Sequence, residues 1–268
     1  MGLSARIPRR APRVSVLRLE GVVAARGRGG GSLSHKSLAT AIERSFTRGR
    51  PAAVALVVNS PGGSPAQSAL IARDIRRRAD ETSIPVHAFV EDLAASGGYY
   101  IASAADHIWV DETSLIGSIG VVSAGFGFSD LIARYGVERR VHTAGRSKSM
   151  LDPFQPEKEA DVANLRAILD QVHNTFIEHV RARRGARLSD AEALFEGDVW
   201  AGRRAVELGL ADGVADLTGK MQALFGARVR MTERSPRAGL RQRLGIGALS
   251  DSVADTMEER LLWQRFGL

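Results

Sequence analysis

The stretch Leu93-Ala94-Ala95-Ser96-Gly97-Gly98-Tyr99-Tyr100 sets one serine hydroxyl among small residues, which let a substrate carbonyl approach an oxygen nucleophile. The apolar run 85–90 before it reads as a buried strand and 101–105 after it as a helix, so Ser96 falls at a strand-to-helix turn. A helix start carries N–H groups without partners in the helix, and these can receive a developing oxyanion. Serine is also a common N-cap. The octapeptide alone leaves both readings open.

A serine nucleophile needs a base. The histidines are His35, His87, His107, His142, His173 and His179. His87 lies inside an expected strand, His107 starts one, and His173 and His179 belong to an expected long helix. None has the surroundings of a triad histidine, and each reads as structural. Lysine is the other option. Of 37 basic residues only Lys36, Lys148, Lys158 and Lys220 are lysines. Arginine cannot shed its proton in a protein, whereas lysine can. Lys148 lies in an irregular segment, Gly145-Arg146-Ser147-Lys148-Ser149-Met150-Leu151-Asp152-Pro153-Phe154. Burial by Met150, Leu151 and Phe154, or positive charge on Arg146, would favour the neutral amine a base requires. The bland alternative is a solvated loop lysine.

The elements that must position these groups follow from patterning. Strands are expected at 14–19, 51–58, 85–90, 107–110, 118–122 and 137–142. Helices are expected at 34–48, 65–79, 129–135, 156–184, 190–195 and 202–208. Ser34 is the expected N-cap of the first helix, and 59–64 is a tight turn. The long helix carries an apolar stripe of Leu165, Ile168, Leu169, Val172, Phe176 and Val180. Strands alternating with helices predict an α/β fold, a mostly parallel sheet covered by helices. Residues 1–13 form a basic arm and 26–32 a Gly/Arg-rich loop. Gly29-Gly30-Gly31 lacks the lysine and glycine spacing of a nucleotide-binding loop. From residue 227 onward strand pattern is missing, and 251–266 is a candidate amphipathic helix with Val253, Met257, Leu261 and Leu262 apolar. The expected division is an arm at 1–13, one domain at 14–226 and a tail at 227–268.

With 268 residues and 44% hydrophobic content the chain can bury a full core. The absence of cysteine excludes disulfides, thiolate catalysis and cysteine-ligated metal. The net charge of +7 suits anionic partners, yet no basic helix interleaved with aromatics and no zinc pattern point to nucleic acid. No apolar run is long enough to span a bilayer, and no signal-peptide core follows the basic N-terminus. The expectation is a soluble cytoplasmic protein or one attached peripherally to the inner membrane, with the tail helix a candidate contact.

Five segments together resemble the signal peptide peptidase A family, serine proteases with a Ser-Lys dyad. They are Asn59-Ser60-Pro61-Gly62-Gly63, the Ser96 stretch, Ile116-Gly117-Ser118-Ile119-Gly120-Val121, the Lys148 segment, and 202–212 with Ala205, Gly209 and Leu210. The likeness runs over about 14–225. It implies a crotonase-like, Clp-protease-like fold of repeated β-β-α units. It implies Ser96 as nucleophile, Lys148 as general base and Ser118 as a hydroxyl orienting the lysine amine. It implies an oxyanion hole from the backbone N–H groups of Gly63 and Gly97, which fits glycine's tolerance of close backbone approach. No metal or organic cofactor is implied. The implied substrates are cleaved signal peptides or other short, apolar, unfolded segments. The implied assembly is a homo-oligomeric ring in which the dyad can be shared between copies. Unlike membrane-attached members, this chain shows no spanning helix, and it holds one copy of the domain.

Rival readings are a crotonase-type acyl-CoA enzyme, a Clp-type triad protease and a catalytically silent membrane-associated scaffold. The first requires a CoA pocket and usually carboxylates. The second places a histidine about two dozen residues after the serine, where this chain has Val121 and Val122. The presence of Ser96, Ser118 and Lys148 together argues against the third.

Overall fold

The computed structural model describes residues 11–25, 32–145, 147–190, 192–234 and 262–267. Most of the basic arm, nearly all of the 26–32 loop, Arg146 and most of the expected tail helix lie outside them. The chain divides into two compact units, Met1–Ile119 with His179–Leu268, and Gly120–Glu178.

The first unit is built on an eight-stranded sheet. Strand β1, Arg13–Glu20, leads to helix α1, His35–Thr47. Ser34 caps α1 as expected, its hydroxyl accepting from Ser37 N while the Ser37 side chain accepts from Ser34 N. Strand β2, Ala53–Ser60, is buried along most of its length, as a strand covered on both faces must be. Helix α2, Pro65–Thr82, starts at the Ser64 N-cap with proline in its first turn, where the missing N–H costs nothing. Strand β3, Val86–Ala95, is followed directly by helix α3, Gly97–Ala102, and then by β4, His107–Val110, and β5, Leu115–Gly117.

The second unit carries α4, Ser129–Arg134, and most of α5, Glu159–Arg184. The chain then completes the first unit with β6, Val199–Ala201, α6, Gly202–Glu207, β7, Gly213–Val214, α7, Leu217–Phe225, and β8, Arg230–Glu233.

The strand order is β6-β5-β3-β2-β1-β8, with β4 beside β3 and β7 beside β4. Every pairing is parallel except β5 with β6, so the expected α/β class and mostly parallel sheet are observed. Val14, Val16, Ala53, Ala55, Val57 and Phe89 form one core layer with Met221 of α7. Arg184, almost wholly buried, donates to both carboxylate oxygens of Asp212 and to Gly209 O, which fixes the turn before β7.

Several expectations need correction. The strand expected at 118–122 is instead β5, Leu115–Gly117. Gly117 at φ +115° and Ser118 at φ +51° turn the backbone out of the extended region before the apolar run begins. Residues 137–142 form no strand; all six are exposed, and none joins a sheet among the described residues. The first Ser-turn helix starts at Gly97 rather than 101, and β3 continues to Ala95. Asn59 and Ser60, expected in a turn, end β2. After 227 a strand does form: β8 pairs with β1 in parallel and, among the described residues, has no other strand beside it.

Candidate active site

Parallel neighbours end on the same edge of a sheet, and that edge gathers the candidate residues of the first unit. Ser60 of β2 lies opposite Ala94 of β3, after a register shift between Val58 and Ser60. Ala95 lies opposite Gly117 of β5. The turns after β2, β3 and β5 therefore start side by side, and they carry Gly62-Gly63, Ser96-Gly97 and Ser118.

Ser96 has φ +49° and ψ −120°, a conformation rarely adopted by a residue with a side chain. Its N–H donates to Gly117 O at 2.8 Å and its carbonyl accepts from Tyr100 N at 2.9 Å, which fixes the residue between β5 and the first turn of α3. It occupies the N-cap position, but its hydroxyl makes no capping bond. Among the described residues nothing hydrogen-bonds to that hydroxyl, and the residue is partly exposed.

The glycine loop lies against this turn. A Cβ on Gly62, whose φ is +95°, would fall 2.6 Å from Gly97 N and 2.9 Å from Ser96 Cβ. One on Gly97 would press on Ser68 Oγ and lie 3.3 Å from Gly63 N. Only glycine permits this approach. Val23 clamps the loop from its other side, its N–H donating to Gly62 O at 2.7 Å and its carbonyl accepting from Ser64 N at 2.7 Å. Among the described residues no backbone acceptor takes the N–H of Gly63 or of Gly97. Two unengaged donors from separate loops, beside an unengaged hydroxyl, can hold an oxyanion while that hydroxyl attacks.

Ser118 follows Gly117 in the adjacent turn. It is 6% exposed and its N–H donates to Asp198 O at 2.6 Å.

Lys148 belongs to the second unit. Its N–H donates to Gly145 O at 3.2 Å in a turn, and its side chain is exposed. Met150 and Leu151 are half-buried. The segment is held on its C-terminal side. Asp161 of α5 faces Leu151 N at 3.4 Å and Asn164 Nδ2 approaches Met150 Sδ at 3.2 Å. Downstream, Phe128 N donates to Pro153 O at 2.6 Å, and Asp152 pairs with Arg139 at 2.8 Å. That guanidinium holds the Asp152 carboxyl below the usual carboxylate range, and it also lies over the Phe154 ring.

The histidines have other partners. His87 accepts from Trp109 Nε1–H at 3.3 Å and stacks on His107; burial, with His107 beside it, pulls its pKa to about 4. His35 faces Asp74 at 3.4 Å and His142 is exposed. His179 stacks on Tyr100. A tyrosine missed by the sequence reading, Tyr99, is buried under the turn and donates to Leu210 O at 2.9 Å; burial raises its pKa.

Comparison with known proteins gives the family. The Na(+)/H(+) antiporter NhaA of Brucella melitensis is 43% identical over 98% of this chain, which spans 38% of that protein. The name belongs to the whole of that longer protein; among the described residues here no helix is long and apolar enough to cross a membrane. The chloroplastic serine protease SPPA of Arabidopsis thaliana is 34% identical over 60% of this chain, which spans 24% of it. In fold, the chain is similar to a lysine-to-alanine variant of the 1510-N membrane-bound stomatin-specific protease in complex with a substrate peptide. The TM-score is 0.54 with 16% identity, covering 90% of this chain and all of that one. Residues 78–225, more than half the chain and including the turns that carry Ser96, Ser118 and Lys148, match Peptidase family S49, and the protein belongs to that family.

Proposed function

We propose that this chain hydrolyses peptide bonds by serine-type acyl transfer. Ser96 Oγ attacks the scissile carbonyl, and the oxygen that becomes negative is received by the N–H groups of Gly63 and Gly97. Lys148 Nζ takes the hydroxyl proton and returns it to the leaving nitrogen, with Ser118 orienting the amine. Water then gives a proton to the same amine and attacks the acyl carbon; the ester C–O bond breaks, the amine passes that proton to Ser96 Oγ, and the second product leaves with serine and neutral lysine restored. The observation that carries this reading is the pair of unengaged N–H groups beside the left-handed Ser96 turn. Membership of a peptidase family supports it.

A lysine base must be uncharged, and cover from water favours that state. Lys148 is exposed in the single chain. The cover is proposed to come from bound peptide and from neighbouring copies in a homo-oligomeric ring. Val122, Phe126 and Tyr135 of the second unit, 70%, 82% and 78% exposed, support such an assembly. The substrates proposed are short, apolar, unfolded peptides, cleaved signal peptides among them. The net charge of +7 supports work beside an anionic membrane surface, which cell fractionation tests.

The deciding experiment incubates a signal-peptide library with wild type and Ser96→Ala and identifies the products by mass spectrometry. Cleavage by wild type alone is expected. Identical products from Ser96→Ala, or none from wild type, would sink the reading.

A further inference from the structure

Helix α3, which follows Ser96, has only six residues, too few to hold its shape through its own hydrogen bonds. Its C-terminal carbonyls are met from outside. Tyr100 O accepts from Ser103 Oγ at 2.9 Å and lies 3.1 Å from His179 Nε2. The His179 imidazole also stacks on the Tyr100 ring, with centroids 3.9 Å apart and planes 4° from parallel. One turn further along α5, Arg183 donates to Ser103 O, Ala104 O and Ala105 O at 3.1–3.2 Å. The same residue that His179 grips, Tyr100, donates its N–H to Ser96 O at 2.9 Å. Tyr100 is thus tied on one side to the nucleophile's own carbonyl and on the other to His179. A carbonyl can only accept, so the imidazole carries its proton on Nε2. Burial, opposed by this bond and helped by Arg183, holds the ring's pKa at about 4, so it is neutral under ordinary conditions.

We propose that His179 is a positioning residue for the nucleophile: by fixing the Tyr100 carbonyl it fixes the single turn from Ser96 to Tyr100, and with it the Ser96 hydroxyl and the Gly97 N–H. It touches no substrate. The inference rests on Ser96 being the nucleophile. Small displacements of a reacting group cost large factors in rate, whereas substrate binding does not pass through this contact, so the effect falls on kcat and not on KM.

The test uses the full chain as wild type, His179→Phe and His179→Gln. Phenylalanine keeps the stacked ring without a donor; glutamine keeps an N–H donor without the ring. Each protein is measured for melting temperature, for kcat and KM on an unfolded peptide, and for the rate at which a fluorophosphonate labels Ser96, read by intact mass. His179→Phe, folded at the assay temperature, is expected to lose about tenfold in kcat and in labelling rate with KM within about twofold. His179→Gln is expected to recover to within about threefold of wild type. A folded His179→Phe that labels and turns over like wild type overturns the inference. So does equal slowing by both variants in step with their melting temperatures, since packing alone then explains it. Should His179→Phe not fold, His179→Met, matched to glutamine in length but without a donor, takes its place under the same outcomes. A wild type that is not labelled at all overturns the assignment of Ser96 itself, and this inference with it.

Discussion

The serine and the lysine sit in regions built on opposite plans. The Ser96 turn is enclosed by its own sheet: two parallel neighbours end beside it, Gly62 presses on it, and α3 is clasped at its far end. The Lys148 segment is held on its C-terminal side by Asp161, Asn164 and Phe128, yet the lysine itself is exposed. On the proposed function, the surroundings of the nucleophile are in place in the single chain, whereas the lysine still needs cover from water. A nucleophile and an oxyanion hole require fixed geometry, which a sheet edge supplies. A lysine base requires water to be excluded, which substrate or a second copy can supply at the moment of reaction.

The sharpest way to break this contrast is Lys148→Arg. Arginine keeps the charge and cannot lose the proton. We expect a fall of about 10²-fold or more in kcat, with the melting temperature unchanged because the residue is exposed. Lys148→Ala should be equally inactive. Retention of more than about a tenth of wild-type kcat by Lys148→Arg would remove the lysine from the base's role.

Acid should act on the serine half. His87 and His179 both belong to the first unit, and burial holds each at about 4. An unfolded histidine titrates near 6.5. Between those values the unfolded chain binds protons that the folded chain refuses, so stability is full above about pH 6.5 and is lost as pH falls toward 4. Each histidine contributes at most about 3 kcal/mol. Urea unfolding followed by tryptophan fluorescence at pH 7 and pH 5 checks this; equal midpoints would contradict it.

A pair of glycine substitutions compares the surroundings directly. Gly62 and Gly145 share a positive φ, +95° and +98°. A Cβ at Gly62 meets Gly97 N and Ala95 O, while one at Gly145 meets nothing within 4 Å. Gly62→Ala should therefore cost about 1–3 kcal/mol beyond the backbone strain common to both, with activity falling too. Equal losses from the two, measured by urea titration, would mean that the serine turn is no more tightly enclosed than the lysine turn.

The smallest effect on stability belongs to the exposed side chains of the second unit. Phe126→Ser with Tyr135→Ser should shift unfolding by no more than about 0.5 kcal/mol each, while light scattering shows a smaller assembly. An unchanged mass would release these residues from an interface role.

Much of this organisation was legible in the residues. Ser34 announced α1, the apolar run of β2 announced a strand covered on both faces, and the five motif segments pointed to the family. Other parts were hidden for physical reasons. Val121 and Val122 have strand composition, but the left-handed backbone at Ser118 diverts the chain before they can join the sheet. Val137 and Val141 alternate like a strand but join no sheet among the described residues. In β8 the reverse holds: Arg230, Met231, Thr232 and Glu233 show no burial pattern, because an edge strand is specified by the backbone of β1 and not by a core face. The clasp of His179 and Arg183 was missed because carbonyl contacts leave no mark in side-chain patterning. Their four-residue spacing on a helix was the available signal.

The turns after β2, β3 and β5 come from distant points in the chain and meet only through strand pairing. Long-range parallel pairing is among the slower events in folding. A nascent chain that has emerged only through β3 holds Ser96 but lacks the Gly117 carbonyl that fixes it and the whole lysine-bearing unit. On the proposed function, competence to cut would therefore arrive late, after the last of these pairings, and a half-made copy would expose no finished blade to its neighbours or to itself.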